Sequence, residues 1–520
     1  MNDEIAGSIP KSWELVELAD VCSKITDGTH KTPDYQQSGV RFISIKNIKP
    51  FEPVNWDAYE RFISEAEHRE LIKRCKPEYG DILFPRIGTL GYAKRVDFHE
   101  EVSIFVGLGL AKPIREAVLP QYLEYWLNHP TIDKLSRELA NGSGRLTLPL
   151  EESKKLPVPM APLAEQTRIV EKLDEILSDL DAGVTELKAA QRKLAQYRQS
   201  ILKAAVEGAL TADWRVARAR SGELRETGAD LLQRILTERR DRWEAKQLAK
   251  YAEQRKTLPK GWQAKYLEPT EPSYENHLSL PPSWASATVD QISIAQKYGS
   301  SSKTNEDAGG VPVLRMGNIQ EGRLDLNKLK YLPKDHQEFP DLLLEDGDLL
   351  FNRTNSPELV GKTAVYRSEI APCSYASYLI AVKLTPSFFP EFLSAFINSV
   401  YGRAWIKGVV TQQVGQANVN GSKLAALAVP LPPHDEQQEI MSRLDDQLRA
   451  SFHEQAMIER GLRQAAAQRK NILRAAFAGR LVPQHPNDEP ASTLLERIRA
   501  ERANQTGAAK PRGRKPRTTA

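Results

Sequence analysis

Two groups of polar residues in this chain have side chains suited to hydrogen bonding with nucleic-acid bases and phosphates. Arginine can pair with two acceptor atoms of guanine, asparagine or glutamine can pair with adenine, and lysine and threonine can hold phosphates. The candidates lie in loop-like stretches of both halves of the chain. In chain order they are Lys24, Thr26, Thr29, His30, Lys46, Asn47, Arg86, Thr89, Arg145, Lys303, Arg315, Asn318, Arg353, Asn355, Gln412, Gln413, Gln416 and Asn418.

The chain around these loops is duplicated. Trp13 recurs as Trp284, and Glu165 recurs as Glu436 at the same separation along the chain. A period this long repeats a whole domain plus a helix rather than a short solenoid unit. Framework residues recur at this separation whereas the polar loops differ, which favours one scaffold that reads two different short sequences. Each polar loop taken by itself could equally be a solvated surface loop.

Each repeat ends in a predicted long helix. Apolar residues three and four positions apart form a stripe on one helix face, which is typical of a helix that packs on another helix. A proline-rich lead-in at 158–162 precedes the first helix, and Gly208 should end it because glycine adopts the left-handed conformation that closes a helix. Polar Gln447, Ser451 and Gln455 interrupt the second stripe, and both stripes could instead pack on the globular units. The stripe residues are Ile169, Leu173, Ile176, Leu180, Val184, Leu187, Leu194, Tyr197 and Ile201 in the first helix and Ile440, Leu444, Ile458 and Ile472 in the second.

The predicted fold class is α+β, with two similar α+β recognition domains separated by two long antiparallel helices and related by a pseudo-two-fold internal repeat. Residues 40–45 and 311–316 alternate like strands, whereas 119–139 and 389–406 have helical spacing. The predicted segments are recognition domain 1 at 1–160, a central helical region with a charged insertion and linker at 161–275, recognition domain 2 at 276–432, a distal helical region at 433–505 and a disordered basic tail at 506–520.

Composition narrows the class of protein. A chain of 520 residues suggests roughly three or four domains. No apolar run approaches the roughly 20 residues of a membrane helix, the acidic N-terminus is no signal peptide, and Cys22, Cys75 and Cys373 are too far apart for a metal knuckle. We expect a reduced, cytoplasmic protein without a membrane partner. Because the formal net charge is only +4, any nucleic-acid surface must be local.

Motifs for catalysis are not readable in the sequence. We find no Asn-Pro-Pro-aromatic loop of the kind that holds the target amine in adenine methyltransferases. Residues 361–363 imitate the end of a phosphate-binding loop, but Ser356 stands where the leading glycine is needed. The nine histidines show no paired spacing for a metal. No catalytic, cofactor-binding or metal-binding residue is therefore assigned.

The arrangement of two variable globular units and two repeated helices resembles the specificity subunit of type I restriction-modification enzymes. The resemblance covers nearly the whole chain. The stretches that carry it are Val-Pro-Leu-Pro-Pro at 429–433 with Glu-Gln at 436–437, Ile-Leu-Arg-Ala-Ala-Phe-Ala-Gly-Arg-Leu-Val-Pro at 472–483, Asp-Gly-Thr-His-Lys-Thr-Pro at 27–33 and Gly-Asp-Ile-Leu-Phe-Pro-Arg at 80–86.

The resemblance implies a non-catalytic subunit in which each target-recognition domain reads one half of a split sequence in double-stranded DNA. It also implies that the helices set the spacer and dock two methyltransferase subunits, and that restriction subunits join. S-adenosylmethionine, ATP and Mg are then expected on those partners, with no cofactor on this chain. The alternatives are a fused DNA methyltransferase or nuclease acting alone, and a scaffold without sequence preference. The charged insertion at 211–256 is interpreted as a docking segment or a solvated helix, and the tail around 512–514 as a phosphate tether.

Overall fold

The computed structural model describes residues 5–7, 9–223, 226–272, 279–356, 359–413 and 416–507. The chain forms two compact units. Unit 1 is built from the described residues of Met1–Lys188 and Glu459–Ala520, and unit 2 from those of Ala189–Ile458. The predicted tail beyond residue 507 and the acidic N-terminus at 1–4 lie outside the described residues.

The regular elements alternate between short strands and helices in both units. The α-helices of the described residues are α1 (Glu65–Ile72), α2 (Pro120–Leu127), α3 (Pro130–Glu138), α4 (Leu150–Lys154), α5 (Leu163–Val206), α6 (Ala212–Ser221), α7 (Gly228–Glu253), α8 (Val289–Ile292), α9 (Pro390–Asn398), α10 (Val400–Val409), α11 (Gly421–Ala425), α12 (His434–Phe477) and α13 (Ala491–Gly507). The strands are β1 (Glu14–Glu17), β2 (Cys22–Asp27), β3 (Val40–Ile43), β4 (Phe62–Ile63), β5 (Ile82–Pro85), β6 (Lys94–Arg95), β7 (Val102–Ile104), β8 (Leu108–Pro113), β9 (Pro157–Met160), β10 (Ala285–Thr288), β11 (Ser293–Tyr298), β12 (Val311–Leu314), β13 (Ile319–Gln320), β14 (Arg323–Leu324), β15 (Lys330–Leu332), β16 (Leu349–Asn352), β17 (Thr354–Asn355), β18 (Thr363–Val365), β19 (Ser374–Tyr375), β20 (Leu379–Leu384), β21 (Thr411–Gln413), β22 (Gln416–Asn418) and β23 (Ala428–Leu431).

The sheets of the two units follow the same plan. Unit 1 has an antiparallel sheet ordered β2-β8-β5-β6, a sheet ordered β4-β3-β7 with a parallel pair, and the pair β1-β9. Unit 2 repeats this plan as β11-β20-β16-β18, β15-β12-β19 and β10-β23, and it adds the sheets β13-β14 and β17-β22-β21. The predicted α+β class and internal repeat are therefore confirmed.

The helical spacing at 119–139 and at 389–406 resolves into two helices in each unit. In unit 1, Pro130 begins α3, and His129 caps that helix by accepting a hydrogen bond from Thr131 N at 3.1 Å. In unit 2, Ser399 caps α10 through Tyr401 N at 3.3 Å. A capping residue needs non-helical backbone angles, so each apolar run bends where its cap occurs.

The predicted long helices are α5 and α12, each of 44 residues. Gly208 has φ +74° and Gly479 has φ +64°, the left-handed conformation expected where each helix ends. In unit 1, Asp181 pairs with Arg469, and Leu187 lies beside Gly461. Because partner numbers fall along α12 as they rise along α5, these segments run antiparallel.

The helices also pair within unit 2. Arg198 Nε donates to Ser451 Oγ at 2.6 Å, and Arg198 Nη2 donates to Ser451 O at 3.0 Å. Ser451 is one of the polar residues that interrupt the second stripe. It is buried, so the interruption accommodates an interhelical hydrogen bond.

The stripe residues are buried to different degrees. Tyr197 does not belong to the buried face, since it is 49% exposed. Leu177 and Leu473, which the stripe prediction missed, are buried in the core of unit 1. Apart from Leu187, which lies beside Gly461 of α12, a direct contact between helices stays a prediction for the other stripe residues. The buried ones are Ile169, Leu173, Leu194, Ile201, Ile440 and Leu444, and the half-buried ones are Ile176, Leu180, Val184, Leu187, Ile458 and Ile472.

In each unit, a tryptophan and a glutamate attach the mixed strand-and-helix part to the start of a long helix. Trp13 Nε1 donates to Glu165 Oε2 at 3.0 Å, and Trp284 Nε1 donates to Glu436 Oε2 at 2.8 Å. Both carboxylates are buried. Glu436 also accepts from Arg215 Nη1, so the two equivalent carboxylates differ in charge balance.

The charged insertion is partly an intramolecular support. Leu231 and Ile235 of α7 are buried in the core of unit 2, and Arg239 Nη1 donates to Ser293 O at 2.7 Å. In unit 1, Ile498 of α13 is buried in the same manner, and Arg502 donates to Cys22 O at 2.5 Å. The first half of α7, in the middle of the insertion, therefore packs on its own unit, and a docking role stays a prediction for the rest of the insertion.

We predict that acid destabilises unit 1 through His129. Burial, together with the charge of Arg474, lowers the pKa of His129 from 6.5 to about 4. Protonation then favours the unfolded chain, so stability present at neutral pH is lost as pH falls from 6.5 towards 4, by at most about 1.4 kcal/mol per pH unit. His129→Asn keeps a capping acceptor without the titration. Denaturant unfolding at pH 7 and pH 4.5 should show a smaller loss for the variant, and equal losses would contradict this assignment.

We also predict that the two buried glutamates respond differently to neutralisation. Glu436→Gln leaves Arg215, only 17% exposed, beside an uncharged amide and should cost about 3 kcal/mol of unfolding free energy. Burial raises the pKa of Glu165, and its Oε1 has no hydrogen-bond partner among the described residues. Glu165→Gln is the matched control and should cost less than about 1 kcal/mol. Denaturant titrations followed by tryptophan fluorescence measure both losses, and similar values would refute the distinction.

Candidate nucleic-acid interface

In unit 1 a buried carboxylate gathers basic side chains at the end of β2. Asp27 is 3% exposed at its side chain and contacts His30 Nε2 at 3.0 Å. It also accepts from Arg74 Nη2 and Arg86 Nη1. The side chains of Arg74 and His30 are 55% and 61% exposed, and Lys24 Nζ donates to Arg74 O at 2.5 Å. Basic groups outnumber the carboxylate, so this cluster presents positive charge to solvent.

Two further loops of unit 1 meet beside this cluster. Leu148 N donates to Arg86 O at 2.7 Å, which ties the loop before α4 to the end of β5. Thr89 and Arg145 are exposed on these two loops. The fold therefore brings together predicted contact residues that are far apart in the sequence.

Unit 2 has a basic cavity of about 770 Å³. Its cationic side chains are Lys303, Arg315 and Lys362, and none of the described residues that line it is acidic. Asn355 contributes an amide, and Tyr378, 47% exposed, contributes an aromatic surface. Cations, amides and an accessible ring are the groups that bind phosphates and bases.

Four predicted residues of unit 2 lie on one hairpin. Strand β22 pairs with β17, and Asn355 stands opposite Ala417 in that register. The hairpin is thereby connected to a strand whose residue Asn355 lines the cavity. The four residues are Gln412 and Gln413 on β21 and Gln416 and Asn418 on β22.

Two predicted asparagines serve turns of the protein. Asn47 Nδ2 donates to Asn55 O at 3.0 Å, and Asn318 Nδ2 donates to Asp325 O at 2.7 Å. Both asparagines are buried, and the Oδ1 of each accepts a backbone N–H of its own turn. Their amides are committed to shaping the loops that carry Lys46 and Arg315.

The remaining predicted residues of unit 1 have mixed surroundings. Thr26 is buried on β2, and Thr29 is half-buried, with its Oγ1 donating to Lys31 O at 3.1 Å. Lys46 is exposed, with Nζ 5.2 Å from the centre of the Tyr59 ring.

An arginine occupies the same backbone position in both units. Arg86 follows the strand β5, and Arg353 follows the equivalent strand β16. Arg86 N donates to Gly107 O at 2.8 Å, and Arg353 N donates to Tyr378 O at 3.0 Å. Gly107 and Tyr378 correspond to each other in the internal repeat, so the duplicated framework presents both arginines from equivalent positions.

Sequence reasoning missed several residues of these surfaces. Arg74 follows a short charged helix and carries no loop signature, although it is bonded to Asp27. In the sequence, Lys362 stands out only within an imitation of a phosphate-binding loop. Tyr298 could have been found by comparing the two repeats, because it occupies the position that Asp27 has in the first.

Two other kinds of site are not found in the part of the chain that the structure describes. No group of three or more His, Cys, Asp or Glu side chains there could hold a metal ion. Within the same ranges, every helix is too short or too polar to cross a bilayer.

Residues 10–194 and 282–459 match the family model for the type I restriction modification DNA specificity domain. The chain belongs to the type I restriction-modification specificity subunits. A specificity subunit is the non-catalytic member of its complex, and cofactors in such complexes generally belong to the other subunits. The two matched ranges coincide with the two repeats, which confirms the resemblance inferred from the sequence.

Individual relatives agree with this assignment. The specificity subunit shares 28% identity over 360 residues with the EcoKI specificity subunit of Escherichia coli (strain K12), covering 67% of this chain but only 65% of that protein. It shares 21% identity over 518 residues with the StySPI specificity subunit of Salmonella potsdam, covering 96% and 98% of the two chains.

One solved structure is similar in fold. It belongs to work on complex assembly and conformational transition of the type I R-M system. It has a TM-score of 0.51 and 16% identity, and the match covers 91% of this chain and 99% of the other. At this identity the similarity concerns the fold alone.

Proposed function

We propose that this specificity subunit recognises a bipartite sequence in double-stranded DNA, with one half-site read by each recognition domain. The observation that supports this best is a duplicated framework with different contact residues. Arg86 and Arg353 start from equivalent backbone positions, but Asp27 neighbours the first and Tyr298 neighbours the second. Equal frameworks with unequal side chains suit two half-sites of different sequence.

The contacts to DNA come from the exposed members of the predicted set. In unit 1 these include Lys24, His30 and Arg145, with Arg74 added by the geometry. In unit 2 they lie in and around the basic cavity. The buried Asn47, Asn318 and Thr26 act indirectly by shaping the loops. Since the net charge of the chain is +4, these local cations supply the attraction to phosphate.

The two halves of the chain also have roles in assembling a larger complex. Segments 1–160 and 276–432 are the target-recognition domains, and the two long helices set the unread spacer. Two methyltransferase subunits dock on the helical regions, and restriction subunits join them on cytoplasmic DNA. S-adenosylmethionine, ATP and Mg act on those partners, where each target adenine is flipped out for methylation because a stacked base cannot be reached.

Domain exchange tests this function. Replacing residues 1–155 with the matching segment of another specificity subunit should change one half of the methylated sequence and leave the other half intact, because each framework reads independently. Single-molecule sequencing of host DNA maps the methylated adenines. A change in both halves would refute modular reading.

A second arm of the same test addresses the fused-enzyme alternative. The purified chain is incubated with DNA and labelled S-adenosylmethionine, first alone and then with methyltransferase subunits. Label transfer is expected only in the second mixture. Transfer by the chain alone would favour an enzyme over a recognition subunit.

Removing charge from the cavity should weaken binding without changing sequence preference. Lys303→Ala and Lys362→Ala should each lower affinity for all sequences alike and reduce the slope of log K against log salt by about 1, as expected for a lost phosphate contact. Lys407→Ala, an exposed lysine of α10 that does not line the cavity, is the matched control. Fluorescence anisotropy of the reconstituted complex at several salt concentrations gives the slopes. Equal slopes for all three variants would argue against phosphate binding there.

A further inference from the structure

Asp27 ends β2 in unit 1, and Tyr298 ends β11 in unit 2. The two residues occupy equivalent positions in the internal repeat. Each is followed by a glycine, Gly28 or Gly299, that no other residue could replace without movement of backbone. A Cβ would come within 2.1 Å of Ile104 O at the first glycine and within 2.3 Å of Tyr375 O at the second. The side chains at these strand ends are thus fixed in direction by the same close backbone contact.

In unit 1, Asp27 holds the side chain of Arg86 in place. Arg86 Nη1 is paired with the buried carboxylate of Asp27, and Arg86 Nε donates to Leu148 O at 3.3 Å. Only Nη2 lacks a partner among the described residues, and the side chain is 10% exposed. An arginine in this state cannot offer the two parallel N–H groups that guanine recognition requires. Its effect on DNA must pass through Asp27 to Arg74.

In unit 2, Tyr298 forms no ion pair with Arg353 but contacts its guanidinium through the ring. The guanidinium carbon of Arg353 lies 4.9 Å from the ring centre of Tyr298. Among the described residues, the guanidinium of Arg353 makes one long hydrogen bond, from Nη1 to Ser377 O at 3.4 Å, and its Nε is buried without a partner there. Stacking on the ring fixes the plane of the guanidinium. Because Nε is buried and the bond from Nη1 is long, the end that carries Nη1 and Nη2 is the part left for a base. Tyr298 is itself held, because its hydroxyl accepts from Gly421 N at 2.8 Å.

We propose, on the basis of the function above, that the residue at positions 27 and 298 decides how the equivalent arginine is used. Tyr298 makes Arg353 a base-reading residue of its half-site, which reads guanine through two N–H groups. Asp27 makes Arg86 a positioning residue, which holds Arg74 outward as a phosphate contact. The two half-sites therefore differ in the position of the residue that contacts the base, and not only in the base that is recognised.

The test uses the specificity subunit in complex with its methyltransferase subunits. Wild-type and variant complexes are equilibrated with a duplex pool in which both half-sites are randomised, and bound sequences are counted. Arg353→Lys should lower discrimination at one base position of one half-site by roughly tenfold. Tyr298→Leu should do the same, whereas Tyr298→Phe keeps the ring and should retain the preference.

Substitutions in unit 1 should change affinity and not preference. Arg86→Lys and Asp27→Asn should lower binding of all sequences alike, and Arg74→Ala should in addition reduce the salt slope by about 1. Arg69→Ala, an exposed arginine of α1 paired with Glu65, is the matched control. Thermal unfolding of each variant identifies loss of folding.

Two results would overturn the inference. The first is a base preference lost at one position on Arg86→Lys, and the second is an unchanged preference on Arg353→Lys in a folded variant. A wild-type complex that enriches no bipartite sequence would remove the proposed function and this inference together. A wild-type preference that none of the variants alters would remove the inference alone.

Discussion

The hydrogen bond between a tryptophan and a buried glutamate at the head of each long helix is the contact on which the architecture depends. Without it the indole N–H of each tryptophan would be buried without this acceptor, at a cost of a few kcal/mol. Trp13 and Glu165 lie 152 residues apart, as do Trp284 and Glu436, so each bond closes a whole domain onto its helix. The neighbouring Gln166 and Gln437 add bonds to Leu119 N and Phe389 N, which fixes the helix direction as well as its place.

Helices α7 and α13 are attached to their units in a similar way. Helices α7 and α13 bury apolar residues against different units, yet both end this packing with an arginine on backbone carbonyl oxygens. Arg239 serves unit 2 and Arg502 serves unit 1. A segment that looks in sequence like a charged insertion is thus half support and half surface. Leu231 and Ile235 in the first half of α7 face the core, whereas Leu248 in its second half is 48% exposed.

The sequence was sufficient for elements that depend on local pattern or on the repeat. Gly208 ends a helix because of its own backbone freedom, and the constant separation of framework residues reveals the duplicated frame without any structure. Contacts between distant segments were beyond reach. Arg74 joins Asp27 across 47 residues, which no spacing rule suggests. The side chain of Asn47 is of the type that can pair with adenine. In the structure, however, its Oδ1 accepts from Ser44 N and its Nδ2 donates to Asn55 O, contacts that the sequence does not reveal.

The division of the chain into units has a consequence for biosynthesis. Unit 2 is one continuous stretch, so every residue that it needs has been made once the ribosome passes Ile458. Synthesis of unit 1 begins earlier, but its core is completed later, because Leu473, Phe477 and Leu494 belong to that core. The portion synthesised first is therefore the last to be completed. A premature stop codon shortly after Ile458 would leave unit 2 complete, whereas unit 1 would lack the C-terminal residues of its core.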